Sequence, residues 1–216
     1  MKRLVDGVHR FQRDIFGDRR GLFARLANHQ APHTLFVTCA DSRISPSLIT
    51  QTEPGEVFIL RNAGNIVPPH GVSSGEAATV EFAVSGLHIE DIVVCGHGDC
   101  GALKAALDPR LTEQMPEVRA WVRHAARTRE ILDDRYPDAT GDDRLNIAAQ
   151  ENVLAQIENL CTHPAIAERL ARGAVRIHGW VYKIATGEVF AYDPEQKQFL
   201  PLQAPYPVAP RHALSA

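Results

Sequence analysis

Four short runs constrain this chain more than any other feature: "TLFVTC" (34–39), "EVFILR" (56–61), "DIVVCGH" (91–97) and "AVRIHGWVY" (174–182). They are rich in β-branched and aromatic residues and largely continuous in their apolar character, as strands are when both faces are covered. Helical stretches at 74–87 and 99–107 lie between them, and a long helical insertion is expected over 116–135 and 142–172, before the fourth run. Strands alternating with helices predict an α/β fold: a central, mostly parallel four-stranded sheet flanked by helices. A chain of 216 residues has the length of one well-buried domain, and no repeat, low-complexity tract or linker divides it.

The two ends read differently from the middle. Leu4, Val8, Phe11 and Ile15, then Leu22, Phe23 and Leu26, recur at helical intervals, with Gly17-Asp18 as a break between two short amphipathic helices. This arm, residues 1–28, precedes the first strand and needs a surface to lie on, either a second subunit or its own domain. After Phe199 come Pro201, Pro205, Pro207 and Pro210, which predict an extended surface strap over 201–216.

Charge narrows the partners. With 23 basic and 26 acidic side chains the formal charge is −3, which offers no broad attraction to a nucleic-acid backbone or an anionic membrane. The amino-terminal segment breaks each apolar pair with a charge, and no window has the length and hydropathy of a membrane span, so a cytoplasmic protein is expected. In a reducing compartment the four cysteines, Cys39, Cys95, Cys100 and Cys161, read as metal-binding, catalytic or core thiols rather than as two disulfides.

In sheets of this kind functional groups collect just past the carboxyl ends of strands. Two such ends carry reactive residues: Cys39-Ala40-Asp41-Ser42-Arg43, and "CGHGDCG", where His97 and Cys100 stand three apart at a strand-to-helix turn. If the two strands are neighbours, Cys39, His97 and Cys100 converge as a zinc set of two thiolates and one imidazole, with one tetrahedral position left for water. Cys100 at the start of a helix has its thiolate favoured by the helix dipole. Asp41 leaves an extended backbone on the same side as Cys39, and a bidentate pair with Arg43 holds its carboxylate ionised toward a metal-bound water. Should the pair break, Asp41 swings onto the zinc and displaces that water. A blander alternative stands beside this one: a lone strand Cys is usually a small buried hydrophobe, and no C-x-x-C knuckle accompanies the H-x-x-C. Cys95 is read as a core thiol and Cys161 as structural. Of the remaining histidines, His88 and His178 are surface or core candidates and His70 is one that lines a pocket.

The two motifs together resemble those of the β-class carbonic anhydrases: "CADSR" is similar to their C-x-D-S-R and "GHGDCG" to their H-x-x-C. The resemblance extends to "EPGEVFILRNAGNIVPP" (53–69) and "IHGWVY" (177–182), covers residues 3 to 202, and is greatest toward bacterial members associated with cyanate metabolism. It implies one Zn2+ per chain on Cys39, His97 and Cys100, with Asp41 and Arg43 as the dyad beside the metal-bound water. It implies an arm that embraces a partner subunit, in a homodimer or a dimer of dimers. Gln30 matches a substrate-orienting glutamine, Phe58 an apolar wall, and Gly101 lines the same pocket. Phe82 stands where the pocket has a tyrosine, Ala102 where many members have a second glycine, and Phe36 where members with an allosteric bicarbonate pocket have tryptophan. The open form, with water on zinc, is therefore expected. The implied activity is reversible hydration of carbon dioxide to bicarbonate by attack of zinc-bound hydroxide. Hydrolysis of carbonyl sulfide or carbon disulfide at the same site, and a non-catalytic zinc-stabilised interaction protein, are the alternatives.

Overall fold

The computed structural model describes residues 1–203. A six-stranded mixed sheet forms its centre, in the order β2-β1-β3-β4-β5-β6. The strands are β1 (Thr34–Cys39), β2 (Val57–Asn62), β3 (Asp91–His97), β4 (Arg176–Tyr182), β5 (Val189–Asp193) and β6 (Gln198–Pro201). β2, β1, β3 and β4 run parallel to one another, whereas β5 and β6 are antiparallel additions. The expectation of four strands is thus corrected to six. β5 and β6 are only 5 and 4 residues long and flank a tight turn with Lys197 at φ 53°, so neither shows a long apolar run. The strap expected after Phe199 is corrected in part: Leu200 and Pro201 pair with Ala191 and Phe190. Proline is tolerated there because β6 is an edge strand. The remainder of the proline-rich tail, from 204 onward, lies outside the described residues.

Helices cover the sheet. The arm is α1 (Lys2–Arg10), continued by a wide π turn at Phe11–Ile15, then α2 (Arg20–Leu26). After β1 comes the short α3 (Pro46–Thr50), and α4 (Gly75–Glu81) with its π continuation Phe82–Gly86 leads into β3. The helix expected over 99–107 is α5 (Gly101–Leu107), and the expected helical insertion is α6 (Pro116–Val122), α7 (Ala126–Arg135), α8 (Gly141–Cys161) and α9 (Pro164–Ala171). Among the described residues no helix is long and apolar enough to cross a membrane.

The core lies between one sheet face and α8. Leu35, Val37, Ile92, Val94, Ile177 and Val181 meet Ala149, Val153, Ile157 and Leu160, all buried. The close approach of α8 depends on two glycines. A Cβ on Gly96 would stand 2.9 Å from Val153 Cγ2 and 3.1 Å from the Ala149 carbonyl oxygen, and one on Gly179 3.0 Å from Val153 Cγ1. The arm behaves oppositely: none of α1, its π turn or α2 contains a buried residue. Phe11, Phe16 and Phe23 cluster with one another, with ring centroids 5.2 to 6.1 Å apart.

Candidate metal centre

Parallel register brings the two motifs together. Thr38 pairs with Cys95, so β1 and β3 end side by side and Cys39 and His97 leave the sheet at the same edge. The chain then turns through Asp99, at φ 57°, and delivers Cys100 as the N-cap of α5. One ligand atom from each of Cys39, His97 and Cys100 lies within 4.8 Å of the others, and all three side chains are buried. The two sulfurs are 3.9 Å apart. Two sulfurs each 2.3 Å from one tetrahedral ion would stand about 3.8 Å apart, so the spacing suits zinc.

His97 supplies the independent test of that fit. Its ring Nδ1 donates to the Gly98 carbonyl at 2.8 Å, which leaves Nε2 as an unprotonated acceptor. Nε2 is buried and has no hydrogen-bond partner. A buried orphan nitrogen beside two thiols is costly unless a cation satisfies it.

The thiols make the same demand. The hydrogen bond from Cys100 draws the Cys39 thiol down to about 4 against the opposing effect of burial, with help from His97 and the Gly64 amide. Cys100 is pushed strongly upward by its bond with Cys39 and by burial. The pair therefore accepts one negative charge readily and resists the second, a resistance that a bound dication removes. Cys95, wholly buried, is pushed up to about 12 by desolvation and stands outside the cluster as a core thiol. Burial also raises the half-buried Cys161, at the end of α8.

Asp41 and Arg43 sit at the rim. Arg43 Nε and its backbone N–H donate to Asp41 Oδ1 at 3.0 and 2.9 Å, and Nη2 donates to Oδ2 at 2.8 Å. These bonds hold the Asp41 carboxyl well below the usual carboxylate range. Oδ2 lies 4.0 Å from His97 Nε2, at the edge of the cluster. Gly101 follows Cys100 as the first residue of α5 and has open space around its Cα.

Apart from Gly101, the expected substrate residues are elsewhere in this chain. Phe58 pairs with Leu35, four positions up β2 from the Asn62 that faces Cys39, which is roughly 13 Å of strand. Phe82 is 51% exposed and packs on Phe58 at 6.1 Å between ring centroids. Gln30 lines a cavity of about 830 Å³ with Leu26, Gly55, Leu87 and His88. One chain thus groups these residues near the amino ends of the strands, away from the metal ligands. His70 does line a cavity, of about 530 Å³, with His163 and Ser74.

Sequence reasoning passed over four residues that build the centre. Arg61 donates to the carbonyls of Cys39 and Asp41 at 3.1 and 2.8 Å, and so clamps the motif backbone. Gly64, at φ 88°, donates its N–H to Cys39 Sγ at 3.3 Å. The buried Asn152 of α8 donates to the Gly64 carbonyl at 3.0 Å and fixes that loop. Asp99 receives the far edge of Arg43. Only Asp99 carried a signal, an aspartate in a tight strand-to-helix turn, where a left-handed conformation is often needed.

The chain is similar to known proteins in sequence and fold. The family model described as carbonic anhydrase matches residues 34–189. A carbonic anhydrase of Synechocystis is 46% identical over 195 residues, covering 89% of this chain and 71% of its own. The solved β-carbonic anhydrase CcaA superposes with a TM-score of 0.93 at 44% identity, covering 95% of this chain and 93% of that one. A tetrameric β-carbonic anhydrase from Sordaria macrospora superposes with a TM-score of 0.80 at 29% identity, over 88% and 95% of the two chains. With its buried Cys-His-Cys cluster, its sheet and these likenesses taken together, the chain belongs to the β-class carbonic anhydrase family.

Proposed function

We propose that this protein catalyses the reversible hydration of carbon dioxide to bicarbonate and a proton, with one Zn2+ per chain held by Cys39, His97 and Cys100. The observation that carries the reading is the orphaned His97 Nε2 facing two sulfurs that are 3.9 Å apart. When bound, a zinc ion supplies water acidified to near neutrality. The chain supplies the rest. Asp41, kept ionised by Arg43, has Oδ2 at the cluster and accepts a hydrogen bond that orients the reacting water. Gly101 leaves open space beside Cys100 for the substrate.

Gln30, Phe58 and Phe82 would orient and wall the carbon dioxide only from a second copy of the chain, since one chain keeps them at the other end of the strands. The arm supports such pairing: Leu4 is 68% and Val8 54% exposed, an apolar face that its own domain leaves uncovered. A homodimer, or a dimer of dimers, is therefore part of the proposal. So are a cytoplasmic location and, from the shared "RNAGNIVP" and "HGWVY" segments, kinship with cyanate-associated bacterial members.

Stopped-flow hydration of carbon dioxide by zinc-loaded protein tests the activity, with carbonyl sulfide and carbon disulfide as competing substrates. Catalysis of hydration that is blocked by small zinc-binding anions is expected. Turnover of the sulfur compounds alone would replace the reading, and a site that binds zinc without exchangeable water would reduce it to a structural one.

A further inference from the structure

We infer that Asp99 is a positioning residue that holds the Asp41 carboxylate on Arg43 at the rim of the cluster, short of occupying the metal position, by gripping the edge of Arg43 that Asp41 leaves free. The inference rests on the zinc reading above and goes beyond it to a residue outside both motifs' reactive positions.

Asp41 and Arg43 are two positions apart in one loop, so their pair is local and by itself free to turn as a unit. Arg61 clamps only the backbone of that loop, through the carbonyls of Cys39 and Asp41. The side-chain pair is tied to another element at Asp99. Arg43 Nη1 donates to Asp99 Oδ2 at 3.0 Å, and Nη2 donates to the Asp99 carbonyl oxygen at 3.1 Å. The guanidinium therefore spends Nε and one Nη2 hydrogen on Asp41, and Nη1 and the other Nη2 hydrogen on Asp99. It is held along two edges, from β1's loop and from the turn after β3.

Two features aim Asp99 at this task. Its φ of 57° lies in the left-handed region, which Asp, Asn and Gly adopt more readily than other residues and which turns its carbonyl toward Arg43. Lys104, on α5, holds the other carboxylate oxygen, Oδ1, leaving Oδ2 for Arg43. Asp99 also stands between His97 and Cys100, so the segment that carries two of the ligands sets the position of Arg43. Asp99 is 57% exposed at its side chain, and ion pairs this exposed contribute little to folding. Its contribution is orientation.

Two substitutions separate orientation from folding. Asp99→Gly keeps the left-handed backbone and loses the carboxylate; Asp99→Asn keeps the backbone and an acceptor for Nη1. Each is loaded with Co2+ alone, its visible d–d spectrum recorded, and the spectrum titrated with azide. Asp99→Gly is expected to change the band envelope and weaken azide binding about tenfold, because Asp41 then competes for the cluster, while Asp99→Asn stays within about twofold of wild type. Melting temperatures of both variants should match wild type. An Asp99→Gly spectrum and azide affinity equal to wild type would overturn the inference, as would equal losses in both variants. Wild-type protein that takes up no Co2+ would overturn the zinc reading itself, and this inference with it.

Discussion

Gly64 donates its backbone N–H to the Sγ of Cys39 over 3.3 Å. The same residue's carbonyl is held by Asn152, whose Oδ1 accepts from Gln156 at 3.0 Å and from Thr128 at 3.2 Å. A buried polar ladder on α8 thus reaches the metal centre through one loop, joining the stability of the core to the charge state of a sulfur.

Breaking that ladder should therefore cost both. Asn152→Ala takes away the donor to the Gly64 carbonyl and the acceptor of Gln156 Nε2 and Thr128 Oγ1, and is expected to destabilise the fold by about 1–3 kcal/mol. It should also weaken zinc retention, because the Cys39 thiolate loses a fixed donor. Urea unfolding together with a competitive chelator titration measures the two effects, and a loss of stability with unchanged zinc affinity would separate the loop from the site.

Packing at the sheet gives a second expectation. Gly179→Ala places a methyl 3.0 Å from Val153 Cγ1 and 3.2 Å from Ile157 Cδ1, against the same face of α8. Such overpacking is expected to cost about 1–3 kcal/mol, read as a lowered denaturation midpoint with an unchanged slope.

Metal removal should be visible without any activity assay. A ligand that binds only the folded state stabilises it, by about 4 kcal/mol when present at a thousand times its dissociation constant. Chelation is therefore expected to lower the melting temperature, and added zinc to restore it. In Cys39→Ser the two curves should nearly coincide; a variant that still responds fully to zinc would show that Cys39 is not a ligand.

At the opposite end of the sheet, Asp91 predicts a pH dependence. Burial pushes its carboxyl up, but hydrogen bonds from Arg176 at 2.7 and 2.5 Å and from His178 at 2.9 Å outweigh burial, and the net shift is downward. A carboxyl depressed in the folded state stabilises fully above its unfolded value of about 3.9, and that stabilisation fades as pH falls through the folded value. Asp91→Asn should therefore be less stable than wild type at pH 7, by roughly 1.5–3 kcal/mol, with the gap closing as the pH drops below about 4. Parallel urea titrations at pH 7 and pH 3.5 check this; a gap that persists unchanged in acid would assign the effect to packing.

The residues themselves carried much of this protein. The β-rich runs ending in Cys39 and His97 encode the parallel strands, because burial on both faces selects apolar residues at successive positions. The His-x-x-Cys spacing encodes two of the donors, because a tight turn brings residues three apart together, whereas the extended backbone expected at Asp41 gives way to a turn after Cys39 in which the Arg43 N–H donates to Asp41 Oδ1. Short elements escaped: β5 and β6 hold too few residues to show a period. What only the tertiary structure decided is which groups meet across the chain. Register alone sets Cys39 beside His97 and sends Phe58 to the far end of its strand. The supports at Arg61, Gly64, Asn152 and Asp99 depend on distances between elements, which no local spacing contains.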